Sequence, residues 1–212
     1  MAPKRISTIL EFDLVIVGAG SSGSVIGGSL AEKTNLRILV LEAGGNDLRP
    51  DIKVPIGYGM TFFNPKVNWC YSSTPQEYLN GRSLYVPRGK VLGGSASINA
   101  MVYLRGQKSD FDDWASFSSQ DLGWDSVRST YDAIEGIRDN LGKRKIHVSD
   151  VSKDHELMVQ DFIKSGERLG FKQNQDLNGD ISEGIGHYPI STRNGMRWTA
   201  SDVFLKPAMG LS

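Results

Sequence analysis

An α/β fold with a doubly wound parallel sheet follows from three observations. A short apolar run, Leu14-Val15-Ile16-Val17, ends in a glycine cluster. That cluster opens a helix-like stretch. A second apolar run, Arg37-Ile38-Leu39-Val40-Leu41, follows after the span of one helix. Short β-branched runs bounded by glycine read as strands buried on both faces of a parallel sheet. Strand, helix and strand in that order predict a Rossmann-like βαβ unit with a right-handed crossover. The 212 residues leave room for one large domain or two small ones. Residues 1–110 are assigned to a nucleotide-binding domain. Residues 111–212 are assigned to a helical connection and the beginning of an α+β second domain.

The elements follow in chain order. Ser24 to Lys33 reads as the crossover helix. Its internal Gly27 and Gly28 cost about 1 kcal/mol each relative to Ala, which points to close packing against a backbone or a cofactor. Residues 44–89 are rich in Gly, Pro, Asn and Tyr and predict a long covering loop, with short strands at Trp69–Ser72 and Ser83–Val86. A second glycine cluster spans Gly89 to Gly94. Helices are predicted at Phe111–Trp114, at Ser126–Ile137 with Val127, Tyr131 and Ile134 on one stripe, and at Glu156–Leu169 with Gly170 as its stop signal. Asn178-Gly179 and Asn194-Gly195 are turns, the latter between strand-like runs. The stretch from Val203 to Pro207 reads as amphipathic and unfinished. The chain is therefore expected to be an N-terminal fragment that leaves Phe204-Leu205 without a partner and needs a complementary C-terminal segment.

Composition excludes several classes. Lys+Arg and Asp+Glu both number 24, so the formal charge is zero, which argues against nucleic acid or an anionic membrane surface as a partner. No run of 18 apolar residues predicts a membrane span. Cys70 is the single cysteine, so no intrachain disulfide framework and no all-cysteine zinc site can form. It reads as a packed loop thiol. No secretory leader and no Asn-x-Ser/Thr acceptor occur, and a reducing, cytoplasmic location is expected. No metal site is assigned. Asp176, Asn178 and Asp180 begin like a calcium loop, but Ile181 replaces the required glycine and His187 stands at the bidentate glutamate position.

Gly18-Ala19-Gly20-Ser21-Ser22-Gly23 matches G-x-G-x-x-G between a strand and a helix. Gly18 allows the tight turn, Gly20 lets a pyrophosphate approach the backbone, and Gly23 lets helix and strand pack closely. The helix N-terminus offers free N–H groups and the positive end of its dipole to phosphates. The second strand ends at Glu42, about 20 residues beyond the motif, where an acidic side chain accepts from both ribose hydroxyls and repels a 2′-phosphate. This unit alone leaves NAD and FAD both open.

The stretch Pro87-Arg88-Gly89-Lys90-Val91-Leu92-Gly93-Gly94-Ser95-Ala96-Ser97-Ile98-Asn99-Ala100-Met101-Val102-Tyr103-Leu104-Arg105-Gly106 resembles the signature of the glucose–methanol–choline (GMC) flavoprotein oxidoreductases. Ala96 departs from it, standing where the family usually carries Ser, Thr or Gly. Glu42-Ala43-Gly44-Gly45, Asn68-Trp69-Cys70-Tyr71 and Arg197-Trp198-Thr199-Ala200 resemble further family segments, so the likeness runs from about Phe12 to Pro207. It implies FAD as cofactor. The cofactor-binding residues it implies are Gly18, Gly20, Ser21, Ser22, Gly23, Glu42, Ala43, Trp69, Arg88, Val91, Gly93, Gly94, Ser97, Asn99, Ala100, Met101 and Val102. FAD is long, so the first glycine turn is expected to take the pyrophosphate and the second to let backbone reach the isoalloxazine. Some members attach FAD through a histidine where this chain has Ile98, so non-covalent FAD is expected.

The resemblance implies hydride transfer from a small-molecule alcohol to the flavin. In the family the base that takes the hydroxyl proton is a histidine close to the C-terminus of a full-length member. His147, His155 and His187 match no such position and are expected to be surface or loop residues, so no catalytic residue is assigned and the isolated chain is expected to be inactive. The same scaffold serves hydroxynitrile lyases, and a flavin-binding module without catalysis is the remaining alternative.

Overall fold

The computed structural model describes residues 10–118, 121–135, 145–151 and 157–209. Along them run β1 (Leu14–Val17), α1 (Ser21–Lys33), β2 (Ile38–Leu41), α2 (Pro50–Lys53), α3 (Tyr58–Thr61), β3 (Tyr71–Ser72), β4 (Tyr85–Val86), α4 (Lys108–Ser116), α5 (Trp124–Ile134), α6 (Leu157–Arg168), β5 (Thr192–Arg193), β6 (Met196–Arg197) and α7 (Lys206–Ala208). The fold is mixed α/β. Two compact units divide it: the described residues of Met1–Arg49, Gly59–Ile98 and Ala200–Ser212 form the first, and those of Pro50–Tyr58 and Asn99–Thr199 the second.

In the first unit β1 and β2 pair in parallel, Leu14 opposite Ile38 through Val17 opposite Leu41. Gly18 N–H extends the ladder to Leu41 O at 2.7 Å. Among the described residues this parallel sheet has two strands. The predicted burial on both faces does not hold: Val15 is 51% exposed and Val17 84%. The reason is that α1 covers one face only. A Cβ added at Gly27 would lie 3.3 Å from Ile16 Cδ1 and 3.4 Å from Val40 Cγ2, so this glycine sets α1 close upon both strands.

Gly28 answers to a different neighbour. Its Cβ would collide with the Phe204 carbonyl, in a π-helical turn at Ser201–Leu205. Phe204 and Leu205 are thus buried against α1, which corrects the expectation that they lack a partner. Lys206 Nζ adds bonds to Asp47 Oδ2 at 2.7 Å and Asp202 Oδ1 at 2.6 Å. The covering loop is less irregular than its composition suggested. It contains α2, α3, two short 3-10 turns and the antiparallel pair β3–β4.

In the second unit the segment after Asn99 runs beside residues 189–191: Tyr103 N–H donates to Pro189 O at 2.9 Å, and Ser191 N–H donates to Met101 O at 2.9 Å. Gln107 and Asp110 close a reciprocal cap on α4, and Phe111 packs on Trp124 of α5 with ring centroids 5.8 Å apart. Gly170, φ 93°, follows α6 as expected. Asn194 and Gly195, φ 51° and 73°, turn the β5–β6 hairpin, the backbone that a two-residue hairpin turn requires.

Candidate cofactor site

The cleft of the first unit has a volume of about 940 Å³ and lies over the C-terminal ends of β1 and β2. Its floor is the β1–α1 turn. Gly18 adopts φ 96° there, a left-handed backbone that glycine accepts without strain. A Cβ at Gly23 would collide with Gly18 O, so this glycine is a packing requirement, as the motif predicted. Gly20 is the N-cap of α1 and brings no capping side chain. A Cβ at Gly20 would meet only Gly94 Cα, at 3.9 Å. The space beside Gly20 is therefore left open by the protein, and among the described residues no side chain of the N-cap takes up the first-turn N–H groups of the helix.

Glu42 enters from β2. Its Oε2 accepts from Ala19 N–H at 2.9 Å and its Oε1 from Gly44 N–H at 2.8 Å. Arg88 brings a guanidinium to the lining. Trp69 and Tyr71 stack with centroids 5.8 Å apart and planes 6° from parallel, and Lys90 Nζ lies 4.7 Å above the Trp69 ring.

Of the residues expected to bind cofactor, Gly18, Gly20, Ser21, Ser22, Gly23, Glu42, Ala43, Trp69, Arg88 and Gly94 line this cleft. Val91, Gly93 and Ser97 do not. Val91 and Ser97 are fully buried, and Ser97 Oγ donates to Leu92 O at 2.8 Å. Gly93 N–H donates to Ala19 O at 2.8 Å. Asn99, Ala100, Met101 and Val102 belong to the second unit.

The second glycine cluster has a structural task that the sequence reading did not foresee. A Cβ at Gly94 would come within 2.7 Å of Gly20 Cα, and one at Gly89 would collide with Gly94 O. The two glycine turns pack backbone to backbone. The glycines at 89 and 94 are required by that contact, whatever they do toward a ligand.

Two clusters in the second unit were missed. Arg197 is 1% exposed. Its Nε donates to Ile52 O at 2.9 Å, and its two terminal nitrogens to Asn99 Oδ1 at 2.7 Å and Asn99 O at 2.6 Å. Asn99 Oδ1 also accepts from Met101 N–H at 2.9 Å, and Met101 adopts φ 63°, strained for a residue other than glycine. The other cluster faces a polar cavity of about 980 Å³. There Arg105 contacts Glu135 at 2.5 Å and Tyr103 OH donates to Glu135 at 2.5 Å. Burial first, then the bond to Glu135, pushes the Tyr103 phenol far above its ordinary range. Burial opposes the Arg105 charge, but Glu135 and Asp132 outweigh it and raise its pKa.

His147 Nδ1 lies 2.6 Å from Thr192 O, and His187 lines the polar cavity. His155 lies outside the described residues. Among the described residues no group of metal-ligating side chains occurs and no helix is long and apolar enough to cross a membrane.

A match to the GMC oxidoreductase family covers residues 12–211, and the chain belongs to that family. It is 37% identical over 201 residues to an alcohol dehydrogenase [acceptor] of Pseudomonas putida, covering 92% of this chain and 36% of that protein. It is 34% identical over 207 residues to an oxygen-dependent choline dehydrogenase of Sinorhizobium fredii, covering 94% and 37%. Among solved structures, pyridoxine 4-oxidase from Mesorbium loti superposes with a TM-score of 0.84 at 32% identity, covering 95% of this chain and 41% of that one. The chain thus spans little more than a third of the curated relatives named here. The family is one of FAD-binding flavoproteins, and the first unit fits that cofactor: an uncapped helix N-terminus for a diphosphate, a carboxylate for a diol, and open space beside Gly20.

Proposed function

We propose that this chain is the cofactor-binding part of an FAD-dependent oxidoreductase acting on CH–OH groups, with FAD held without a covalent bond. The observation that carries the reading is the uncapped start of α1, set in one cleft with Glu42 and Arg88. The N–H groups of Ser21, Ser22 and Gly23 would take the diphosphate, with Arg88 balancing its charge. Glu42 would accept from the ribose hydroxyls, and Trp69 offers a flat ring at the edge of the cleft. Asn99, Ala100, Met101 and Val102 are assigned to the cofactor by the family resemblance alone, as are the buried Val91, Gly93 and Ser97.

Bound FAD supplies the hydride acceptor. The names of the relatives, alcohol and choline dehydrogenase, support a small alcohol as substrate. Ile98 has no nucleophilic nitrogen and is buried, which supports non-covalent attachment. No described residue is assigned as the base for the hydroxyl proton. Val15 and Val17, exposed on the uncovered face of β1, are suited to receive a further segment. The greater length of the relatives supports that reading.

The test is a titration of the chain with FAD, followed by flavin absorbance and by heat of binding. Gly20→Ala places a methyl in space the protein leaves open, so the variant folds and its affinity for FAD falls tenfold or more, on the order of a displaced charge-assisted hydrogen bond. Undiminished FAD affinity in that variant would remove the diphosphate from this turn.

A further inference from the structure

An acidic side chain at the end of β2 is expected to face a ribose. In this chain the same carboxylate is already bonded to the protein. Glu42 Oε2 takes Ala19 N–H at 2.9 Å and Oε1 takes Gly44 N–H at 2.8 Å. Ala19 is the residue between the first two motif glycines and is 1% exposed. Its carbonyl accepts from Gly93 N–H at 2.8 Å and from Ser24 Oγ at 3.1 Å. The residue at the centre of the glycine turn is therefore bonded on both sides, and among the described residues its N–H donates to Glu42. Gly44 is equally confined, because a Cβ there would collide with Lys90 O. The Glu42 carboxylate thus bridges the β1–α1 turn and the exit of β2, two backbones that no pairing of the parallel ladder beyond Gly18 holds together.

We infer that Glu42 is a positioning residue for diphosphate binding as well as a partner for ribose. By fixing the Ala19 peptide it fixes the turn that presents the N–H groups of Ser21, Ser22 and Gly23 to the cleft. A buried N–H left without an acceptor is costly, so a turn deprived of Glu42 rotates its Ala19 peptide toward water. A carboxylate offers about four acceptor sites. Two are engaged by the protein, and one on each oxygen is left for a diol. Both roles are compatible in one side chain.

The inference rests on the FAD reading, and the test separates the two. The full chain is titrated with ADP, with 2′,3′-dideoxyadenosine diphosphate, which lacks both ribose hydroxyls, and with adenosine, which lacks the diphosphate. If Glu42 serves the ribose alone, Glu42→Ala leaves the dideoxy ligand unaffected. If it positions the turn, the dideoxy ligand weakens by about tenfold, the scale of one charge-assisted hydrogen bond. Equal dideoxy binding by the folded variant and the parent overturns the inference while ADP binding by the parent upholds the cofactor site. A folded parent chain that binds neither diphosphate overturns both. Because Glu42→Ala leaves a buried donor and can fail to fold, a second variant replaces Ala19 by lactic acid. That ester removes only the N–H donor and keeps the carboxylate. Both diphosphates then weaken by the same factor and adenosine binds as before. Unchanged diphosphate binding, or an equal loss for adenosine, overturns the positioning role.

Discussion

The cofactor cleft and the Arg197 node are built by opposite means. In the cleft the backbone does the work: Gly20 and Gly94 approach so closely that a Cβ on Gly94 would stand 2.7 Å from Gly20 Cα, and Gly23 and Gly89 tolerate no side chain at all. In the node one long side chain does it: the Arg197 fork joins the backbone of Ile52 to both oxygens of Asn99. A backbone-built site depends on what is missing from its residues, and a side-chain-built node depends on a single group being present. The two should therefore fail differently under substitution.

The largest effect is expected at the node. Arg197→Met keeps much of the apolar stem and removes the fork. The hydrogen bonds of the guanidinium to Ile52 O, Asn99 Oδ1 and Asn99 O are lost and Asn99 is freed from its anchor. Hydrogen bonds to charged groups are each worth about 1.5–3 kcal/mol, though not additively, so a loss of about 4 kcal/mol in unfolding free energy is expected. A denaturant titration measures it. A loss under 1 kcal/mol would mean that the fork is replaceable and that the contrast with the cleft is false.

Next comes the cleft's own packing. Gly23→Ala forces the β1–α1 turn apart, because its methyl would collide with Gly18 O, and overpacking of this kind costs about 1–3 kcal/mol. Gly20→Ala, three residues away, meets only Gly94 Cα at 3.9 Å and changes stability by about 1 kcal/mol or less. The pair sharpens the comparison within one turn: Gly23→Ala lowers the melting temperature, while Gly20→Ala lowers FAD affinity and leaves melting nearly unchanged. Equal melting of the two variants would show that the motif glycines are not divided into a packing and a ligand-facing set.

This division explains what could be read in advance. β1 was legible to the residue because four apolar positions end in a glycine turn, and the turn was legible because few residues besides glycine accept φ 96°. The start of α1 at Ser21 rather than Ser24 was not, since Ser21-Ser22-Gly23 has no helical preference and the tertiary contact at Gly23 decides. The second cluster was recognised by its pattern, but its reason was read as room for a flavin when packing on Gly20 is enough to require it. Arg197 was noted only within a segment of family likeness: arginine is rarely fully buried, so the residue type gives no sign of its burial, and only the fold reveals it. The exposed face of β1 was misread for a related reason. An apolar run states that a strand can be covered and says nothing about which segment covers it.

The smallest expected effect tests whether the second unit's side-chain networks share the character of the node. Tyr103 OH donates to Glu135 at 2.5 Å beside Arg105. Replacing Tyr103 by Phe removes one hydrogen bond and costs about 1 kcal/mol near neutral pH. The pH dependence is more telling. Burial and Glu135 raise the phenol's pKa in the folded chain above its unfolded value of 10.0. A raised pKa means that the folded chain keeps this proton while the unfolded chain loses it. Below the unfolded pKa both states hold the proton and the contribution is complete. Above it the unfolded state binds fewer protons, so stability falls as pH rises toward the folded pKa, by up to about 1.4 kcal/mol per pH unit from this group. Tyr103→Phe has no such proton. Its unfolding free energy should decline less steeply than the parent's at alkaline pH, so that the two curves converge above the unfolded tyrosine pKa. Parallel curves through that range would mean that Tyr103 ionises as freely in the folded chain as in the unfolded one, and the bond to Glu135 would not be holding it.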